Sequence, residues 1–283
     1  MHAIDLLTSS NPDQILLALD SLPDLIKSSS PQQSHLIKTL NIQSSNLTNP
    51  YDIPDFDEKI LKCKIECFIK SPFDTSALLV ELFYGDNKST IQRIDILKVI
   101  GLSAIEVLNR QETIQENQDP IKRIGKTIKI SKSLSTQKTF KCQSHGKTIS
   151  HVFNLLIQTP TLSIFKSDSD NMILSWFIKT LTVLTYSSQS TINQHEVSGK
   201  YYTFLKVLIP NYINIPFIIG DILDGCLCCF RLGITVEEWI LDFCGGLVEK
   251  SFDDGVLKGC REILGLIEME MLRKREILFP IGN

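Results

Sequence analysis

Apolar residues recur at helical spacing along most of the chain, and the two-residue alternation of a half-buried strand is scarce. Asn11-Pro12 reads as a cap followed by proline at the first helical position, with Ile15, Leu16 and Leu19 inward. Residues 28–55 are rich in Ser, Asn, Gln and Pro and read as a loop. Ile60, Leu61, Ile65, Phe68 and Ile69 then predict a second helix. Ser71-Pro72 opens a third, with Leu78, Leu79, Leu82 and Phe83 inward, and Gly85-Asp86-Asn87 is a turn. Ser89 begins a fourth that runs to Leu108 on a stripe of Ile94, Leu97, Ile100, Gly101, Ala104, Ile105 and Leu108. The third and fourth helices read as an antiparallel pair.

Residues 110–145 are polar, basic and weakly periodic, the pattern of a long surface loop that orders on a partner. Helical pattern resumes over Ile149 to Leu156 and breaks at Pro160. Met172, Ile173, Trp176, Phe177, Leu181 and Leu184 share a face, as do Val197, Tyr201, Phe204, Leu205 and Leu208. Pro216 opens a very apolar helix that Gly233 ends. Thr235 to Glu238 predicts a capping box, stapled by Ile234 and Trp239, and Asp253 or Asp254 caps a final helix.

Successive helical pairs without a strand layer predict an all-α fold, an irregular α-solenoid of HEAT-like antiparallel helix pairs, with a compact irregular bundle as the alternative. The expected organisation is a short helix and polar linker over 1–55, helical repeats over 56–110, a basic flexible loop over 111–147 and C-terminal helical repeats over 148–283.

The 283 residues carry a formal net charge of −3, which by itself implies neither a nucleic-acid nor a membrane partner. The distribution is uneven: nine lysines and arginines and no acidic residue lie between Ile121 and Ser167. No signal peptide is visible, and the most apolar run, Ile213 to Phe230, is interrupted by Asn214, Asp221 and Asp224. The eight cysteines therefore read as free thiols of a reducing compartment.

No constellation of catalytic residues emerges. Gly125-Lys126-Thr127 and Gly146-Lys147-Thr148 lack the earlier glycine of a phosphate loop, where Pro120 and Lys141 stand. The CxxC of Cys226 and Cys229 sits inside an apolar helical run, whereas a redox pair works at a helix start. His195-Glu196 meets Gly199 where a zinc-protease helix needs its second histidine. Neither Cys63/Cys67 nor Cys142/His145 has a second ligand pair. No metal, cofactor or enzymatic activity is expected. Trp176 and Trp239 read as core.

The segment Asp86 to Leu97, a polar turn followed by Ser89, Gln92-Arg93 and Ile94-Asp95-Ile96-Leu97, resembles the conserved C-terminal region of the telomere length regulation protein family. Later features follow in the same order: the basic Lys122-Arg123-Ile124, the helix Trp176 to Val183, then Trp239, Asp253-Asp254 and Cys260-Arg261, so that the resemblance covers roughly residues 58–270. Family members usually carry a large N-terminal helical solenoid not present in this sequence. The resemblance implies a noncatalytic scaffold or cochaperone adaptor in the triple-T complex, linked to telomere maintenance and DNA-damage signalling. It would join two other helical-repeat subunits and act with a heat-shock chaperone and its cochaperones on phosphatidylinositol-kinase-related kinases, in cytoplasm and nucleus.

The contact candidates are Gln92, Arg93, Lys122, Arg123, Lys126 and Lys129, with Arg93 equally readable as an internal clamp between helix and turn. Ser167 and Ser169 precede acids and suit an acid-directed kinase, as in the family's phosphorylated docking segment. A nucleic-acid-binding helical protein, suggested by the basic stretch, and a generic trafficking scaffold are the alternatives.

Overall fold

Short polar residues set several helix starts in a computed structural model, which describes residues 6–28, 39, 49, 51–117, 146–157, 165, 170–189, 191–249 and 253–278. The Asn11 side chain accepts the Asp13 N–H at 2.9 Å to start α1, Pro12–Ser28. The Asp253 carboxylate accepts the Gly255 N–H at 2.7 Å to start α10, Asp254–Leu278. Every regular element among the described residues is a helix, as the spacing of apolar positions predicts.

The chain forms two compact units, Met1–Lys166 and Ser167–Asn283. In the first, α1 packs on α2 (Phe56–Lys70), α2 on α3 (Pro72–Tyr84) and α4 (Thr90–Asn117), and α3 on α4. Helix α5, over 146–157, packs on α3: the Tyr84 hydroxyl donates to the Leu156 carbonyl at 2.5 Å, and the rings of Phe73 and His151 meet edge to face at 5.1 Å. Helix α5 thus belongs to the first unit.

Two elements differ from their sequence patterns for one reason, the number of neighbours. Helix α4 buries Ile94, Leu97, Ile100 and Ala104 as expected, but also Ile96, Val99, Ser103 and Val107, because α2 and α3 cover it on two sides. It also continues to Asn117, past the Leu108 that ended its apolar stripe and into the segment read as loop. On α2 the buried positions are Phe56, Ile60, Cys63, Glu66, Cys67 and Phe68, while Leu61, Ile65 and Ile69 are only half-buried. Cys63 has a particular partner. Pro23 lies inside α1 and has no N–H to give the Leu19 carbonyl four residues earlier; the Cys63 thiol points to that oxygen at 3.9 Å.

In the second unit α8 (Pro216–Arg231) is central, in contact with α6 (Asp170–Ser187), α7 (Gln194–Tyr212) and α10, and α9 (Glu238–Glu249) packs on α10. Three neighbours explain the apolar run that came nearest to a membrane span: Ile218, Ile219, Ile222, Leu223, Cys226, Leu227, Cys228 and Cys229 are all buried against them. Among the described residues no helix is long and apolar enough to cross a membrane. Gly233 ends α8 as expected, at φ +92°, and the Gly233 and Ile234 N–H groups return to the Phe230 and Cys229 carbonyls, the paired bonds of a Schellman motif. The predicted capping box does not open the next helix, which begins at Glu238 instead of just after Thr235.

Candidate protein-interaction site

The entrance to α4 is built from five residues. Chain reversal between α3 and α4 is confined to residues 85–89. The Ser89 hydroxyl accepts the Gln92 N–H at 3.3 Å, and the Gln92 side-chain oxygen accepts the Ser89 N–H at 3.1 Å. These reciprocal bonds form a capping box, which the Ser-Thr-Ile-Gln order carries in the sequence. Ser89→Ala is expected to cost about 1 kcal/mol of helix stability, visible as faster amide exchange in the first turn of α4. Unchanged exchange there would show that Gln92 does not depend on its partner.

Arg93 lies one residue further on and turns inward. Its Nη2 donates to the Gly85 carbonyl at 3.1 Å, across the turn at the end of α3. Carbonyls at a helix end carry the negative pole of the macrodipole, so a cation there stabilises the corner. Among the described residues nothing accepts from the buried Arg93 Nε. Within the unit Arg93 thus bonds helix to turn, and Gln92 caps α4. Ile91, 72% exposed, is the outward-facing member of this entrance.

The other predicted contact residues, Lys122, Arg123, Lys126 and Lys129, and the predicted phosphorylation sites Ser167 and Ser169, lie outside the described residues.

One polar group that the sequence reading passed over is prominent. Glu66 is 4% exposed on α2, and Arg110 of α4 meets its carboxylate with two bonds, Nη1 to Oε2 at 3.1 Å and Nη2 to Oε1 at 2.5 Å. Arg110 Nε also donates to Glu106 at 2.7 Å, and Lys27 Nζ stands 3.8 Å from Glu66. Hydrogen bonding to Glu66 and Glu106 holds the Arg110 guanidinium charged against its partial burial. The available signal was an acidic residue between Ile65 and Cys67 on an apolar helix; its partner, 44 positions away, left none.

In the second unit Asp221 is the corresponding buried acid. Ser175 donates its hydroxyl to Oδ2 at 2.5 Å, and Lys179 Nζ lies 3.4 Å from Oδ1. Burial pushes the Asp221 carboxyl above the usual range, and the Ser175 and Lys179 contacts pull it partly back. A group whose pKa is higher folded than unfolded favours folding when protonated and opposes it when charged. Wild type is therefore expected to gain thermal stability relative to Asp221→Asn as pH falls from 7 to 4, by a few degrees. The opposite trend would mean that the Lys179 pair outweighs burial.

The chemistry-bearing motifs are structural where they are described. Cys63, Cys67, Cys226, Cys228, Cys229, Cys244 and Cys260 are free, buried thiols. Burial pushes Cys63 and Cys67 up to about 12 and Cys228 to about 11, and raises Cys226, Cys229 and Cys244 further, the reverse of a reactive thiol. Among the described residues no three His, Cys, Asp or Glu side chains are placed to hold a metal ion. Trp176 and Trp239 sit at the edge of the core, each with a lysine over its ring: Lys179 Nζ at 5.7 Å and Lys206 Nζ at 5.6 Å.

Residues 2–104 match a family model described as telomere length regulation protein. The match includes α1 to α3, the α4 entrance and the Asp86 to Leu97 segment that carries the resemblance. It reaches further toward the N-terminus than the resemblance did, and it stops before the motifs from Lys122 to Arg261. No curated protein and no solved structure matches the chain.

Proposed function

We propose, from the premise that residues 2–104 are a telomere length regulation segment, that the chain has a telomere-related role as a noncatalytic helical scaffold. In this reading it is an adaptor that assists assembly and stability of phosphatidylinositol-kinase-related kinases. Its partners are the two other helical-repeat subunits of the triple-T complex, the kinases, and a heat-shock chaperone with its cochaperones, in cytoplasm and nucleus. The observation that carries the reading is the family match across α1 to α3 and the first half of α4. Consistent with it, the described thiols are buried, and the buried carboxylates Glu66 and Asp221 are paired with cations at helix contacts. Helices provide the frame, and contact with partners falls to helix ends, loops and exposed apolar side chains such as Ile91.

Affinity purification of the full chain is expected to recover the two helical-repeat subunits together with large kinases of this class. Recovery of neither by a well-folded bait would remove the adaptor reading. Because Gln92 and Arg93 are engaged within the unit, Ile91→Asp is the sharper probe of the α4 entrance. It is expected to reduce recovery while leaving amide exchange in α4 unchanged. Recovery equal to wild type would exclude this entrance as a contact.

A further inference from the structure

We draw no further inference here: the strongest candidate, the outer ridge of α6 formed by Met172, Trp176, Val183 and Tyr186, is a partly exposed apolar helix face, and nothing in the structure shows what covers it.

Discussion

Arg110→Ala is expected to destabilise the first unit by about 3 kcal/mol, the low end of what removing one partner from a buried ion pair costs. The Glu66 side chain is 5% exposed, and its two oxygens take both Nη groups of Arg110. Without the guanidinium, the nearest remaining cation is Lys27 at 3.8 Å, itself 48% exposed and shared with Asp24. The carboxylate would stay in a site built for a bidentate partner, with its hydrogen-bonding capacity largely unmet. The Arg110 side chain is 36% exposed, which keeps the expected loss at the lower end of the range.

The reverse deletion behaves differently. Glu66→Gln leaves Arg110 with Glu106 and some water, so it is expected to cost roughly 1 kcal/mol. Replacing both residues by apolar ones, Glu66→Leu with Arg110→Met, is expected to cost less than Arg110→Ala alone, since no uncompensated charge remains buried. Amide exchange in α2 and α4 of the full chain reads all three variants. A loss below about 1 kcal/mol for Arg110→Ala would show that Lys27 or water replaces the guanidinium.

Gly225→Ala is expected to destabilise the second unit by about 2 kcal/mol, although alanine is the better helix former by about 1 kcal/mol. A Cβ at this position would stand 2.7 Å from the Tyr201 hydroxyl oxygen and 2.9 Å from Leu205 Cδ1. Tyr201 has little room to retreat. It is fully buried, and its hydroxyl donates to the Ile178 carbonyl at 2.9 Å and lies 2.7 Å from the Thr182 hydroxyl. The absence of a side chain at 225 is thus what lets α8 approach α7 while Tyr201 reaches across to α6. Tyr201→Phe removes the atom in closest conflict. The double variant is therefore expected to be less destabilised than the sum of the two single ones. Full additivity in chemical denaturation would mean that the clash lies with Leu205 instead.

These cases mark the boundary between local and tertiary information. The Asn11, Ser89 and Asp253 caps and the Gly233 stop were legible because each bond joins residues no more than five positions apart. The capping box predicted at Thr235 shows the limit of such signals. The order of residues permits the box, but the helix starts at Glu238, the residue that would have been its third.

The candidate interaction site divides the same way. Ser89 and Gln92 carried a readable cap, whereas the direction of Arg93 depended on where the carbonyl of Gly85 came to rest. The sequence by itself determined that this protein is helical, where several of its helices begin and end, and which family its Asp86 to Leu97 segment resembles. These properties depend on neighbours along the chain. Only the tertiary structure decided how many faces of α2, α4 and α8 are buried, that Glu66 is held by Arg110, and that Gly225 makes room for Tyr201. Those two contacts join positions 44 and 24 residues apart, and the burial depends on how many helices surround one stripe; no periodicity within a single helix records either.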